Sequence, residues 1–297
     1  MQPGRATIQH GTSSNPSIEP TTAASLHAFA EACANGNMDT AAILATGDDH
    51  YPNTQYYLNH GLLASIIHKQ LPIARFLLSH GATITPSIAM AAVRGECIPI
   101  FELLLEKGWD VNSPVTGGQP ALSAFVKNEA LLKWFLDHGA DPNLGPPPSP
   151  QPDSAPVPDS GSTLDCAASA ATPATFDLLL QHGAKLENSQ ALHMAAASQE
   201  DAGRIPMMEY LLRKGCDINA GDEARGFQAV GPPLFYAIRQ GQVQKVRWLL
   251  AHGADARVEG RGGATALRMA EQTGMGDVIA MVKEALERVG SELRAQA

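Results

Sequence analysis

Ten histidines and four cysteines are the side chains of this 297-residue chain best suited to ligate a metal or to act as base and nucleophile. Cys33, Cys97, Cys166 and Cys216 stand 64, 69 and 50 residues apart. That is neither the CxxC spacing of a zinc site nor the density of a disulfide framework, and it points to four reduced thiols in an intracellular protein. His80, His138, His182 and His252 each directly precede a glycine. A metal would need several of them to converge, and they lie in separate blocks of sequence. There is no HExxH, GxSxG or P-loop. Gly260-Arg261-Gly262-Gly263 is glycine-rich but lacks the strand context and final glycine of a dinucleotide fingerprint, so turn geometry explains it. Gly274-Met275-Gly276 reads the same way. No catalytic residue, metal site or cofactor is expected.

Composition says what kind of elements hold these residues. Hydrophobic residues make up 44% of the chain, aromatics only 5% and charged residues 17%, and 46 residues are Ala. Many small apolar side chains suit thin, closely packed helices better than one thick core. The net charge of −9 argues against a nucleic-acid partner, which calls for basic density. No apolar run approaches the ~18 residues of a membrane helix. The N-terminal stretch MQPGRATIQHGTSSNPSIEP has no apolar core of a secretory signal. An intracellular protein, cytoplasmic or nuclear and not secreted, is expected. Length alone, at about 150 residues per domain, suggests two domains.

A repeat changes that expectation. Leu77-Leu78-Ser79-His80-Gly81 returns as Leu104-Leu105-Glu106-Lys107-Gly108. It recurs as FLDHG ending at Gly139, LLQHG at Gly183, LLRKG at Gly215 and LLAHG at Gly253, with a weaker copy at Gly47. The glycine spacings are 34, 27, 31, 44, 32 and 38. Each copy reads as an apolar helix ending at a left-handed Gly, with His or Lys set against the negative end of the helix dipole. Asp110, Asp141, Asp217 and Asp255 follow two residues later, which suits a turn. Trp134 and Trp248 each stand five residues before their glycine and are expected in equivalent core positions.

Upstream of these glycines lies a second pattern. Its copies are Ser162-Thr163-Leu164-Asp165-Cys166-Ala167-Ala168, Gln190-Ala191-Leu192-His193-Met194-Ala195-Ala196, Pro232-Pro233-Leu234-Phe235-Tyr236-Ala237 and Thr265-Ala266-Leu267-Arg268-Met269-Ala270. The combination resembles the ankyrin repeat, whose signature is T-P-L-H-x-A near the start of the first of two helices. The fullest copy runs from Pro232 to Asp255, and the resemblance covers roughly Ala24 to Arg288. It implies an all-α solenoid of about eight helix-turn-helix units with finger loops or short hairpins and capping units at both ends. The domain then spans 23–290, between a disordered arm at 1–22 and a tail at 291–297. His193, in the signature's His position, is expected to tie a loop to its helix. Asp165 holds the same position one unit earlier. A Cys166–His193 nucleophile pair is the one catalytic combination that the alignment brings near, and a buried structural Cys166 is the expected outcome.

The irregularities locate the expected binding surface. A regular unit restarts 12 residues after its glycine, as from Gly108 to Pro120 and from Gly253 to Thr265. The interval is 5 after Gly81, 7 after Gly183, 23 after Gly139 and 17 after Gly215. Ser198–Ile205 is an insertion on the helix side. The 144–160 insert, with seven prolines between Leu144 and Pro158, reads as an extended, mobile polyproline II spacer. The enlarged 216–231 finger carries an Arg and a Phe of the kind that anchor interfaces.

The resemblance implies a non-catalytic scaffold or adaptor that holds a protein partner in a concave groove of fingers and first helices. Position matching places Tyr56, Tyr57 and His68 there, with Arg94, Lys127, Arg239 and Gln240 on later first helices. Arg225, Phe227, Gln228 and Arg261 fall on fingers. Basic groove residues on an acidic chain point to an acidic or polar partner segment. A monomer is expected, with neither nucleic acid nor membrane as partner. The alternatives are a groove adapted to small-molecule binding or catalysis, and the recognition domain of a larger signalling assembly.

Overall fold

The computed structural model describes residues 20–46, 54–222 and 230–296. The chain divides into two compact units, Met1–Lys107 and Gly108–Ala297. In the first unit, α1 (Pro20–Ala34) pairs with α2 (Met38–Thr46), α3 (Thr54–Ile67) with α4 (Leu71–Ser79), and α5 (Pro86–Gly95) with α6 (Ile98–Glu106). The second unit opens with a hairpin, β1 (Pro114–Thr116) against β2 (Gln119–Pro120), and a 3-10 turn over Ala121–Phe125 that precedes α7 (Glu129–Asp137). There follow α8 (Ser162–Ala170) with α9 (Pro173–Gln181), α10 (Ala191–Ala197) with α11 (Ile205–Arg213), α12 (Pro233–Arg239) with α13 (Val243–Ala251), and α14 (Ala266–Thr273) with α15 (Gly276–Gln296). The described residues thus hold eight helical pairs, one of whose first members is shortened to a 3-10 turn. The last helix runs on through residues 291–296, where the sequence suggested a tail. The hairpin is the one two-stranded finger among the described residues.

Local chemistry sets the helix bounds. The Thr85, Thr172 and Thr265 hydroxyls accept N–H groups of the first turns of α5, α9 and α14, and Pro86 and Pro173 start two of these helices. At the other end, Gly81, Gly108, Gly139, Gly183, Gly215 and Gly253 have φ between +86° and +99°. A Cβ at any of the six would meet nothing within 4 Å, so conformation, not space, requires glycine. His80, His138, His182 and His252 each bond through Nδ1 to the carbonyl four residues earlier, at 2.7–3.0 Å. Each caps its own helix.

The core is built from single large rings set among alanines. Phe29, Phe101, Phe125, Phe135, Phe176 and Phe235 are fully buried, as are Ala167, Ala168, Ala195 and Ala196. Successive first helices α8, α10, α12 and α14 pack in series within the second unit. The alanine pairs let them approach. Trp134 and Trp248 are equivalent, but they are half-buried and do not form the core. Their indoles stack on His138 and His252 at 3.9 and 4.0 Å, while Phe135 and Leu249 point inward.

The Pro-rich insert also departs from expectation. Gly145 and Val157 exchange both backbone hydrogen bonds, at 3.1 and 2.9 Å, which closes the loop at its base. The loop lies on the β1–β2 hairpin. A Cβ at Gly118 would stand 2.6 Å from Pro147 Cδ and 3.0 Å from the Ala155 carbonyl oxygen. Two bare glycines at the hairpin tip give the proline rings a surface to pack on, so the insert is a closed, seated loop.

Candidate functional site

The groups with chemical potential are occupied by structure. Asp165, buried, accepts the Gln190 N–H of the next pair at 2.7 Å. His193 Nε2 lies 2.9 Å from the Ala220 carbonyl and ties the following finger to α10, as its signature position implies. Cys166 does not form an activated pair with it. Burial, and secondarily Asp165, pushes the Cys166 thiol above its ordinary range. Burial raises Cys216 likewise and takes Cys33 up to about 12. Such thiols stay protonated and unreactive at neutral pH.

The residues expected at a partner surface fall into one set per unit. In the first unit, Tyr56, His68 and Arg94 are exposed. Tyr57 is not: it is 4% exposed and stacks on Phe29 at 4.3 Å with the rings 8° from parallel. Adjacent tyrosines on a helix differ by about 100° in direction, so only one of the two can face outward. In the second unit, Lys127, Arg239 and Arg261 are exposed and Gln240 is half-buried. Arg225, Phe227 and Gln228 lie outside the described residues.

These side chains occupy helix ends, not helix faces. His68 follows α3, and Arg94 is in the last turn of α5. Lys127 sits in the turn after the 3-10 segment, Arg239 closes α12 and Gln240 is its C-cap. Cations there meet the negative pole of the first helix. Arg261 is on a separate 3-10 turn, Arg261–Gly263, pinned by the Gly260–Ala264 bridge.

Arg239 has the most elaborate support. Its guanidinium lies over the Tyr236 ring at 5.2 Å. The Tyr236 hydroxyl donates to Asp222, which is 1% exposed and also accepts the N–H groups of Val230 and Gly231 at 2.7 and 2.8 Å. The His193 ring meets Tyr236 edge-on at 5.5 Å. Arg239 is therefore presented on a fixed aromatic platform. Beside it an open cleft of about 420 Å³ is lined by Gln240, Gly241, Met269, Gln272, Thr273 and Met275.

A second set of polar residues was not singled out from the sequence. Asn112 takes the Gly139 carbonyl and the Asp141 N–H, at 3.0 and 2.8 Å. Asn143 does the same for Gly183 and Lys185, both at 2.9 Å, and Asn219 for Gly253 and Asp255, at 3.2 and 2.8 Å. Each Asn stands four residues after a repeat glycine and reaches the end of the next helix pair. The signal was present as Gly-x-Asp-x-Asn at 108–112, 139–143 and 215–219.

Comparison with known proteins gives one match to a family model and similarity to a solved structure. Residues 187–223 match the ankyrin repeat family model. No curated protein matches the sequence. Among solved structures, the chain is similar to the crystal structure of the ankyrin repeat domain of Bcl-3, described as a unique member of the IkappaB protein family. Identity is 19%, the match covers 75% of this chain and 85% of that one, and the TM-score is 0.44. Residues 187–223 are therefore similar to an ankyrin repeat, and the described residues form an all-α series of helical pairs.

Proposed function

We propose that this chain is a non-catalytic protein-binding module whose contact surface is formed by the turns that follow the first helices. Ankyrin repeats in general mediate protein–protein interaction. The observation that carries the reading here is Arg239 held over Tyr236 beside the cleft lined by Met269 and Met275. Arg, Tyr and Met are the residue types enriched where proteins meet, and a pre-positioned Arg loses little entropy on binding. With Lys127 on the same unit and Arg94 on the other, the exposed cations favour an acidic or polar partner segment. The buried, protonated thiols and the carbonyl-bound His193 support a role without catalysis. The net charge of −9 weighs against nucleic acid. We place the protein inside the cell, as a monomer that contributes its surface to a partner.

The test is an Arg94→Glu, Lys127→Glu, Arg239→Glu triple variant, checked for unchanged circular dichroism. Crosslinking of the wild-type chain in native lysate, followed by mass spectrometry, identifies the partner. The purified partner is then titrated against both proteins. A loss of at least tenfold in affinity is expected, and equal affinities would refute the reading.

A further inference from the structure

At every repeat glycine, the carbonyl of the glycine and the N–H two residues on form an acceptor–donor pair at the end of the second helix. Asn112, Asn143 and Asn219 fill three of these pairs in the second unit with one carboxamide each. In the first unit Gln55 Nε2 takes the Gly81 carbonyl at 3.0 Å and Asn59 Oδ1 takes the Thr83 N–H at 2.8 Å. Gly108 and Asp110 open the second unit and have no earlier rung within it. The pair that stands out is Gly215 and Asp217. Among the described residues, no side chain bonds the Gly215 carbonyl or the Asp217 N–H.

The cause is one residue. The position that should serve this pair lies four residues after Gly183, and it is Glu187. The local backbone is right for the task. The N–H five residues after the glycine bonds to the carbonyl two after it in all five turns of the second unit, as Ser113–Asp110, Leu144–Asp141, Asn188–Lys185, Ala220–Asp217 and Val258–Asp255. Glu187 therefore sits where Asn112, Asn143 and Asn219 sit. Its carboxylate has no N–H to give the Gly215 carbonyl, and the side chain is exposed.

We infer that the Gly215–Asp217 pair is a recognition site for a primary carboxamide, an Asn or Gln side chain presented by a partner protein. The rungs above show the complement directly: one CONH₂ group offers an N–H and a C=O side by side. A cleft of about 380 Å³ opens at this point, lined by Leu186, Glu187, Gln190, His193, Cys216 and Ala220 among others. Gln190 Oε1 in that lining is buried without a hydrogen-bond partner among the described residues, a further acceptor for a donor-bearing segment. Glu187 and Asp217 make the mouth of the cleft negative, which selects the neutral amide over a carboxylate. The inference rests on the reading of the chain as a protein-binding module but uses a surface apart from Arg239.

The experiment uses the full chain, labelled for amide NMR. N-acetyl-asparagine methylamide is titrated in, with the matching alanine and aspartate compounds as controls. A saturable shift of the Asp217 amide is expected with the asparagine compound only. It should disappear in Glu187→Asn, which supplies the rung internally and should also raise the urea midpoint. Equal shifts from all three compounds overturn the inference and indicate plain backbone pairing. A full response retained in folded Glu187→Asn overturns the assignment to this pair. Neither result bears on the triple Glu variant, so the two readings fail separately.

Discussion

Lys245, in α13, is fully buried, and replacing it with Met has an outcome that depends on pH in a calculable way. Its ammonium donates to the carbonyls of Ala195, Ala196 and Ser198 at 3.2, 3.3 and 2.5 Å, and so caps the C-terminal end of α10. Asp201, from the insert between α10 and α11, returns the contact by accepting the Gln244 and Lys245 N–H groups, both at 3.0 Å. Burial lowers the Lys245 pKa from 10.5 to about 8, with Asp201 and Glu200 opposing the shift and Arg204 adding to it. At about 1.4 kcal/mol per pH unit, that fall is worth about 3 kcal/mol. Between pH 8 and 10.5 the unfolded chain holds a proton that the folded chain has released. Stability therefore rises with pH across this window, and the penalty for the buried charge is complete below it. Met removes that penalty but leaves three carbonyls without their donor, at about 1 kcal/mol each. The two effects nearly cancel at pH 7, where Lys245→Met should lie within about 1 kcal/mol of wild type. At pH 10.5 the variant should be less stable than wild type by about 3 kcal/mol. Other titrating groups are common to both proteins and drop out of the difference. Trp248 lies on the same helix, so urea unfolding followed by its fluorescence, with Trp109 and Trp134 changed to Phe, reads the relevant unit. A wild-type-minus-variant difference that stays flat from pH 7 to 10.5 would refute the linkage.

Three further substitutions test separate parts of the structure. Asp222→Ala removes the acceptor shared by Val230, Gly231 and Tyr236, and should cost about 3 kcal/mol or more in urea unfolding, since it leaves buried donors unpaired. Asn143→Ala breaks a rung whose two backbone groups water can reach, so a loss of only about 1 kcal/mol is expected, alongside faster hydrogen exchange at the Lys185 amide. Gly61→Ala sets a Cβ 2.3 Å from the Phe29 ring, where α1 and α3 meet. Overpacking should destabilise the first unit by about 1–3 kcal/mol and disturb the Phe29–Tyr57 ring-current shifts, with no change at Trp248.

Much of this was legible because helix ends have narrow chemical requirements. A left-handed turn selects glycine, so six glycines marked six helix ends and the repeat could be counted from them. Orientation about the helix axis was less legible. Tyr56 and Tyr57 are equivalent in type, and only the placement of Phe29 from another helix decides that Tyr57 is the buried one. Trp134 and Trp248 looked like core residues because tryptophan is large and apolar, yet capping by the following histidine draws the indole outward. The Pro-rich insert read as a spacer because nothing in its composition points to its seat, the bare Gly117-Gly118 tip some thirty residues upstream. Lys245 was invisible for a different reason. A lysine is ordinarily a solvated residue, and its partners are carbonyls, which carry no sequence signal at all.

The short finger after Gly183 carries a consequence that its length alone did not suggest. A finger has two tasks here, to span the distance to the next helix pair and to supply the carboxamide for that pair's glycine end. At the Gly81 end the second task falls to Gln55 and Asn59 on α3, and after Gly81 the finger is shorter still, with Thr85 capping α5 in the place of the Asn. After Gly183, no side chain among the described residues performs the second task, although the turn at Lys185–Asn188 keeps the form that its counterparts use. Keeping the turn while replacing Asn by Glu leaves the stack intact and exposes a defined donor–acceptor edge. Had both turn and residue been lost, the edge would be one irregular loop among several. The intact turn makes a missing internal ligand the specific reading of Glu187, and it makes Glu187→Asn a one-residue repair whose effect on stability and on carboxamide binding must run in opposite directions.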